Sequence, residues 1–322
     1  MHDKNIIKRL TQLEQVNFLL TNRIPRRYAT LFMGWFSRIE IRWVKNLSLW
    51  LWRLFADDLN LEESKKKQFN SLHDCFIREL KPGARSIDED SDILVSPCDA
   101  VIGAHGNING VELIQAKGFP YTLMDLLGDR DLVEQYRDGV YITLRLKSTM
   151  YHRFHAPRQC RVREVTYIAG DTWNVNPIAL KRIEKLYCKN ERAVVNLEFN
   201  DSPLRMTLVP VAAILVASIR LNFIKPLLDL RYRGPNRIRC DASFKKGDEM
   251  GYFQHGSTII VFAEKGFEIV DSLKSGETIR MGQALMQFAS VRSVSSNKDA
   301  AIDADTEQSQ VLPGVVELDQ AG

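Results

Sequence analysis

Short runs of alternating apolar and polar residues, separated by Gly, Asn and Asp, fill the chain from about residue 92 to 290. The clearest are AVIGAHG, VYITLRL, AVVNLEF and STIIVFAEKGFEIV. A side-chain period of two is typical of β-strands, and the turn residues between the runs favour hairpin connections. The sequence therefore predicts an α+β protein whose main domain is mostly antiparallel β-sheet, interrupted by helices near 121–136 and 177–188.

Composition limits the class of protein further. The 322 residues are 45% hydrophobic and 26% charged, which is enough apolar material for one large domain with extensions or two small ones. Five scattered cysteines without a CxxC pair argue against a disulfide framework and a zinc site, so we expect a reducing compartment and no metal. The longest apolar run, LVPVAAILVASI at 208–219, is too short to span a bilayer and contains Pro210, so it predicts a core strand.

The N-terminal region differs from the rest in charge and in aromatic content. Residues 1–56 carry ten Lys or Arg against three acids, and four of the five tryptophans lie at positions 35, 43, 50 and 52. After Pro25, Leu and aromatic residues recur at helical spacing among basic residues, which is typical of helices at a membrane interface. An amphipathic helix packed on its own domain, a dimer contact and a nucleic-acid surface stay open as alternatives, although the last usually has more polar side chains.

Two further segments complete the predicted organisation. Residues 57–80 are rich in charge and predict a helix that ends before Pro82 and Gly83. From about residue 293 the chain is polar, acidic and without periodicity, which predicts a disordered tail. We therefore expect a helical interfacial segment at 1–65, a β-rich catalytic domain at 66–292 and an acidic tail at 293–322.

Three polar stretches lie in otherwise apolar surroundings: VSPCDA with Asp99, YHRFHAP with His152 and His155, and HGST with Ser257. An acid, an imidazole and a hydroxyl are the parts of a relay in which Asp99 orients His155 and His155 deprotonates Ser257. Each residue also has a structural interpretation: Asp99 suits a turn, and Ser257 suits the start of a strand. The histidines could be metal ligands, although Pro157 interrupts any helix that would align them. No GxSxG motif marks an exposed nucleophile.

Together, five segments resemble the phosphatidylserine decarboxylase proenzyme family in content, order and distance. They are FIRELKPGARSID (76–88), VSPCDA (95–100), YHRFHAP (151–157), NERAV (190–194) and YFQHGST (252–258). Two positions depart from the family's pattern: His255 stands where leucine is usual, and Ala100 stands where glycine is usual. Neither change removes a reacting group, and the Gly256-Ser257 pair is intact.

The resemblance implies that the chain cuts itself between Gly256 and Ser257. Activated by His155 and Asp99, the Ser257 hydroxyl would attack the Gly256 carbonyl and convert the amide to an ester. Elimination would then leave a β chain of residues 1–256 and an α chain of residues 257–322. The α chain would begin with a covalent pyruvoyl cofactor derived from Ser257, which forms a Schiff base with the substrate amine and acts as an electron sink. His152 is the expected proton donor in decarboxylation, whereas His155 serves mainly in self-cleavage.

The resemblance also implies a substrate and a location. Phosphatidylserine would be converted to phosphatidylethanolamine and CO2 in phospholipid biosynthesis. We expect a peripheral enzyme on the anionic, cytoplasmic face of the cell membrane, with α and β chains associated in a homodimer and no nucleic-acid partner. A lipid substrate agrees with the basic, Trp-rich segment, because basic residues near a charged surface contribute on the order of 1 kcal/mol each. Two other functions stay open: a serine hydrolase that uses Asp99, His155 and Ser257, and a noncatalytic module that binds lipid surfaces.

Overall fold

Antiparallel strands dominate the described residues between 93 and 288, and two longer helices precede them. The computed structural model describes residues 18, 24–55, 59–114, 119–214, 218–254 and 257–289. The predicted α+β class with a mostly antiparallel sheet is confirmed. The acidic tail predicted for 293–322 lies outside the described residues.

An eight-stranded antiparallel sheet forms the centre of the fold, in the order β12-β7-β8-β9-β14-β5-β2-β16. Its strands are β2 (Ala100–Asn107), β5 (Val140–Leu146), β7 (Cys160–Ile168), β8 (Arg192–Phe199), β9 (Arg205–Ala212), β12 (Arg237–Phe244), β14 (Ser257–Ala263) and β16 (Thr278–Ile279). Ser257 is the first residue of β14, where it pairs with Leu146 on one side and Ala212 on the other. The sheet therefore holds this residue from both neighbouring strands.

Both faces of β14 are buried. Ile259 and Val261 belong to one apolar cluster of the core, whereas Ile260 and Phe262 belong to another. This alternation follows from the strand period of two, which directs successive side chains to opposite faces of the sheet. Full burial of each such side chain contributes about 1.5–3 kcal/mol, so the strand that begins at Ser257 is firmly packed.

Smaller antiparallel sheets pack around the large one. A four-stranded sheet, in the order β11-β10-β13-β6, consists of β6 (Arg153–His155), β10 (Ser218–Leu221), β11 (Leu228–Asp229) and β13 (Glu249–Phe253). A three-stranded sheet, in the order β1-β17-β15, consists of β1 (Ile93–Val95), β15 (Phe267–Ile269) and β17 (Ala284–Phe288), and β3 (Glu112–Ile114) pairs with β4 (Pro120–Thr122). Phe154, Ile219 and Phe253 of the four-stranded sheet share the apolar cluster of Ile259.

The apolar run at 208–219 corrects one prediction. It forms parts of two strands, β9 and β10, which belong to different sheets, rather than one core strand. β9 ends at Ala212, a turn follows at Ile214, and residues 215–217 lie outside the described residues. The run is apolar because both strands are buried, so an uninterrupted apolar sequence does not require a single strand.

Amphipathic helices α1 (Arg26–Phe36) and α2 (Arg42–Phe55) occupy the N-terminal region, as the aromatic spacing predicts. Arg26 joins α1 to the β domain through an ion pair with Asp171 and through its position over the ring of Trp173, 3.5 Å from the ring centre. The Ser37 carbonyl accepts a hydrogen bond of 2.8 Å from the His73 amide. Within the described ranges, no helix is long and apolar enough to cross a bilayer.

The helix predicted for 57–80 is wrong for the described residues of that range. They form a 3-10 turn (Leu61–Glu63), the short helix α3 (Leu72–Phe76) and a bridge between Ser64 and Leu80. Glu63 pairs with Arg85 across the fold at 2.8 Å instead of lining one helix face. Tertiary contacts of this kind override helix propensity, which is a weak determinant in a charged segment.

The helices predicted near 121–136 and 177–188 are present. They are α4 (Leu123–Leu127), α5 (Arg130–Gln135), α6 (Pro177–Leu180) and α7 (Leu186–Lys189). A capping box between Thr122 and Asp125 begins α4, and Gly128, with φ of 66°, ends it. These helices contribute to the second apolar cluster, on the face of the sheet opposite Ile259.

Candidate active site

Ser257 is completely buried, and within the described part of the chain its hydroxyl has no hydrogen-bond partner. An unpartnered buried hydroxyl costs about 1–3 kcal/mol, so buried polar groups normally have partners. The strand contacts with Leu146 and Ala212 hold the backbone, while the side-chain oxygen is left available. His255 and Gly256, and with them the predicted cleavage bond, lie outside the described residues.

Asp99 is nearly buried, and its carboxylate is compensated by a cation. Arg85 Nε donates to Asp99 Oδ1 at 2.9 Å, and the Met281 amide donates to the same oxygen at 2.9 Å. Arg85 also pairs with Glu63, so one buried guanidinium serves two carboxylates. These bonds fix the position of Asp99 at the start of β2.

Both ring nitrogens of His155 have partners. Nδ1 lies 2.8 Å from the carbonyl oxygen of Gly247, which can only accept, so Nδ1 carries the hydrogen. In the neutral ring Nε2 is then the basic nitrogen, and it accepts a hydrogen bond of 2.9 Å from the Tyr151 hydroxyl. Gly247 has φ of +83°, a conformation that favours glycine and that directs its carbonyl toward the imidazole.

The surroundings of His155 favour the neutral imidazole. Burial lowers the pKa of His155, because a dry site disfavours the charged ring; the Gly247 hydrogen bond and the charges of Glu249 and Asp99 oppose this more weakly. The imidazole is therefore able to accept a proton at Nε2 near neutral pH.

His152 is buried beside the aromatic ring of Phe76. Its Nδ1 lies 2.7 Å from the Met150 carbonyl oxygen, so the hydrogen is again on Nδ1 and Nε2 is the basic nitrogen. The Phe76 ring centre lies 4.1 Å from that of His152, and the ring of Trp52 in α2 also stacks on Phe76, with 5.8 Å between the ring centres. His152 is thus held by a carbonyl and by an aromatic contact that extends to α2.

The predicted relay of Asp99, His155 and Ser257 is not hydrogen-bonded as a triad among the described contacts. Asp99 bonds to Arg85, and His155 bonds to Tyr151 and Gly247. The stretches are nevertheless neighbours, because the His155 amide donates to the Pro97 carbonyl at 2.8 Å. The charge of Asp99 also raises the pKa of His155 slightly, against the larger effect of burial. The relay stays a prediction.

Three residues of the site have no role that residue type or spacing predicts: Arg85, Tyr151 and Glu191. Each lies in a segment that resembles the family, FIRELKPGARSID, YHRFHAP or NERAV, and this resemblance is the signal that points to them. Glu191 is fully buried immediately before β8; its Oε2 accepts a hydrogen bond of 2.7 Å from Tyr167, and its Oε1 has no partner among the described residues. Burial raises the pKa of Glu191 to about 8. Register places Glu191 beside Ala212, which itself pairs with Ser257.

Comparison with known proteins identifies the class of this protein as an enzyme, a decarboxylase. The family model for phosphatidylserine decarboxylase matches residues 72–287. The phosphatidylserine decarboxylase proenzyme of Saccharophagus degradans is 32% identical over 275 residues, covering 82% of this chain and 94% of the relative. The proenzyme of the same name from Vibrio parahaemolyticus is 35% identical over 242 residues, covering 72% and 84%. The chain therefore belongs to the phosphatidylserine decarboxylase family.

Proposed function

We propose that this chain is a self-processing, pyruvoyl-dependent enzyme that converts phosphatidylserine to phosphatidylethanolamine and CO2 in phospholipid biosynthesis. The Ser257 hydroxyl carries the proposal. It is fully buried and has no hydrogen-bond partner within the described residues, in a chain that belongs to this family. A hydroxyl that stabilised the fold would have a hydrogen-bond partner.

The residues around Ser257 fit a prosthetic group made from that serine. The Ser257 hydroxyl makes no hydrogen bond within the described residues that its reaction would have to break. The strands on both sides of Ser257 exclude water. A pyruvoyl group at this position would supply an electron sink for the loss of CO2.

In self-cleavage, the Ser257 hydroxyl would attack the Gly256 carbonyl carbon, so that a carbon–oxygen bond forms, the carbon–nitrogen bond breaks, and the freed Ser257 nitrogen takes up the proton. Elimination, with loss of the Ser257 Cα proton, would then break the bond between Ser257 Cβ and the ester oxygen and release Gly256 as a carboxylate. The dehydroalanine left at the start of the α chain would tautomerise to an imine, and water would convert the imine to the pyruvoyl group with loss of ammonia. His155 would accept the hydroxyl proton at Nε2 once Tyr151 releases that nitrogen. The hydrogen bond to Gly247 holds the tautomer that this step requires. Asp99 would stabilise the imidazolium through its charge while it remains paired with Arg85.

His152 is our proposed proton donor for the decarboxylation step. Its Nδ1–H is fixed on the Met150 carbonyl, so Nε2 is the nitrogen that would hold and deliver the proton. The contact with Phe76 restricts the ring's orientation. A fixed donor favours protonation at one position over side reactions.

The surface of α1, α2 and their connection supports association with a lipid surface. Most of the large apolar side chains exposed in the described residues lie here: Tyr28, Phe32, Trp35, Ile41, Trp43, Leu47, Trp50 and Leu51. An exposed apolar patch of this size marks an interaction site, and aromatic residues beside arginines suit the headgroup level of a membrane. A cavity of about 280 Å³ between the helices, lined by Trp43, Leu47 and Leu51 among others, offers room for apolar chains.

We extend the proposal to the cellular setting that family membership suggests. The enzyme would be peripheral on the cytoplasmic face of the cell membrane. Its α and β chains would stay associated, as a homodimer of processed units. The pairing of β14, which begins the α chain, with β5 and β9 of the β chain supports stable association after cleavage.

The test begins with the covalent state of the purified protein. We expect intact mass and a denaturing gel to show two fragments divided before Ser257, and borohydride with an added amine to label the smaller one. Ser257→Ala should give a single uncut chain, whereas the exposed control Ser243→Ala should be cut normally. An intact wild-type chain labelled at Ser257 by a fluorophosphonate would indicate a hydrolase instead, and an intact unlabelled chain a noncatalytic lipid-binding module.

A further inference from the structure

A cavity of about 270 Å³ lies between α1 and the edge of the four-stranded sheet. Residues of α1 and the turn after it form one wall, and residues of β10, β11 and the end of β13 form the other. The residues that matter for its chemistry are Gly34, Trp35, Ser37, Arg38, Arg231 and Gln254. We name this cavity the α1 pocket.

The charged residues that line the α1 pocket carry a net positive charge. Arg38 and Arg231 line it, and the lining acid is Asp229. Arg38 donates to the Gln254 side chain at 2.8 Å, while the guanidinium of Arg231 has no partner in the described ranges. His73 also lines the pocket, and burial, together with the charge of Arg38, lowers the pKa of His73 to about 4, so it is neutral at pH 7.

Ser37 supplies the second observation. Its side chain is 1% exposed, it lines the pocket, and within the described residues its hydroxyl has no hydrogen-bond partner. A buried hydroxyl normally has an acceptor. An anionic oxygen in the pocket would satisfy this hydroxyl and the guanidinium of Arg231 together.

Apolar residues also line the pocket, and one of them is part of the exposed aromatic surface. Trp35 lines the pocket while 62% of its surface is exposed, so it belongs to both. Gly34 leaves open space, since a Cβ atom built there would meet nothing within 4 Å. A ligand that enters here can therefore keep apolar chains beside Trp35 and place a polar group between the arginines.

One residue of the pocket lining is also close in the chain to the reacting serine. Gln254 precedes Ser257 by three residues, which can separate their backbones by at most about 10–11 Å. The Gln254 amide donates to the Ser218 carbonyl at 3.4 Å, which attaches this end of the segment to the pocket wall. A headgroup bound here would have only a short distance to extend toward Ser257.

We infer that the α1 pocket binds the phosphodiester of a glycerophospholipid, with Arg38 and Arg231 on the phosphate and Ser37 donating to one of its oxygens. The acyl chains lie along Trp35, and the serine end of the headgroup points toward Ser257. This inference rests on the proposed function and assigns the site that holds the substrate's phosphate.

The test measures binding rather than turnover, in an uncut Ser257→Ala chain. Dihexanoylphosphatidylserine, below its micelle concentration, is titrated by calorimetry, and dihexanoylglycerol and inorganic phosphate are titrated in parallel. We expect the phospholipid to bind, and the double substitution Arg38→Gln/Arg231→Gln to raise its Kd by about tenfold or more. The matched control Arg239→Gln removes an exposed arginine outside the pocket and should leave the Kd within about twofold.

Filling the pocket provides a second variant that keeps its charges. Gly34→Leu and Gly34→Phe occupy the open space and should abolish binding, whereas Gly34→Ala adds one methyl group and should bind nearly as the parent does. All three Gly34 variants should have a melting temperature equal to that of the parent or above it, because glycine is a poor helix former.

The outcomes separate this inference from the proposed function. Unchanged binding in the arginine and Gly34 variants overturns the pocket assignment, even if the Ser257-containing chain cuts itself and decarboxylates. Equal affinity for inorganic phosphate and phospholipid would assign the pocket to free phosphate, and equal affinity for dihexanoylglycerol would show that the arginines are not used. If the Ser257-containing chain stays uncut, the proposed function fails while the binding result still decides the pocket.

Discussion

The Tyr151 hydroxyl donates a hydrogen bond of 2.9 Å to Nε2 of His155, the nitrogen that must accept a proton if this imidazole activates Ser257. The other ring nitrogen donates to the Gly247 carbonyl, so the tautomer is determined by the fold. Tyr151 therefore competes with Ser257 for the basic nitrogen. Self-cleavage therefore requires that His155 Nε2 give up its hydrogen bond with Tyr151 and form one with the Ser257 hydroxyl.

The first prediction concerns the pH dependence of self-cleavage. Because burial lowers the pKa of His155 below its ordinary value of 6.5, the neutral base persists to more acidic pH than in a free imidazole. The rate of cleavage of newly synthesised precursor should stay constant as the pH falls from about 8 to about 6.5, and should decline only below that. Time points resolved on a denaturing gel give the profile, and a decline that is half complete above pH 6.5 would contradict the assignment.

Tyr151→Phe should move that profile. A donor bound to Nε2 stabilises the neutral ring, so its removal raises the pKa of His155 and shifts the acidic limb of the self-cleavage profile to higher pH. The residue is a positioning group, and cleavage should persist at alkaline pH. Tyr252→Phe is a suitable control, since Tyr252 is a half-buried tyrosine on the neighbouring strand β13 and is not one of the described hydrogen-bond partners of the His155 ring, which are Tyr151 and Gly247. Identical profiles for both variants would refute the role of Tyr151.

The buried ion pair of Arg85 and Asp99 should be important for stability. Arg85→Leu leaves the Asp99 carboxylate buried without its cation, which should lower the free energy of unfolding by about 3–5 kcal/mol. The matched control Arg161→Leu breaks the exposed pair with Asp241 and should cost less than about 1 kcal/mol. Urea unfolding in the uncut Ser257→Ala background measures both values. Equal losses of unfolding free energy in Arg85→Leu and Arg161→Leu would show that burial of the Arg85–Asp99 pair does not cause the destabilisation.

Glu191 should make the stability depend on pH. The folded protein holds the Glu191 proton up to a pKa of about 8, whereas the ordinary value is 4.5, so between these values the unfolded chain ionises first. The free energy of unfolding should therefore fall as the pH rises through this interval, by up to about 1.4 kcal/mol per pH unit, and level off above it.

Glu191→Gln should remove this slope, because the amide does not titrate. Glu198→Gln is the control and should retain the slope, since Glu198 lies on β8 and is partly exposed beside Arg163. The comparison is made by urea unfolding of Ser257→Ala chains at several pH values. A slope that survives in Glu191→Gln would assign the effect to another group.

Exposed aromatic residues should control lipid binding. Trp43 and Trp50 are 69% and 56% exposed, so the double substitution Trp43→Ala/Trp50→Ala should weaken sedimentation with anionic phospholipid vesicles by about tenfold or more while leaving self-cleavage intact. Met124→Ala removes an exposed apolar residue that lies on α4 instead, and it should bind vesicles normally. Undiminished binding of the tryptophan variant would overturn the membrane proposal.

Local pattern was sufficient for much of the fold. The period of two in VYITLRL and STIIVFA predicted strands that are present as β5 and β14, and the aromatic spacing after Pro25 predicted α1 and α2. Charged residues 57–80 were misassigned, because Glu63 and its neighbours form long-range contacts that composition does not record. For the run at 208–219 the prediction of one core strand is wrong, because two consecutive buried strands have the same apolar sequence as one buried strand.

Residues close together in the chain specify the strand period, the amphipathic N-terminal helices and the ordered motifs that indicate the family, so these features can be predicted from local sequence. Three properties of the site depend instead on contacts made in the folded protein: Asp99 is paired with Arg85, the Tyr151 hydroxyl is bound to the basic nitrogen of His155, and burial raises the pKa of Glu191. Those properties depend on desolvation and on hydrogen bonds between distant segments. They arise when the sheets pack together, and no local pattern of residue types specifies them.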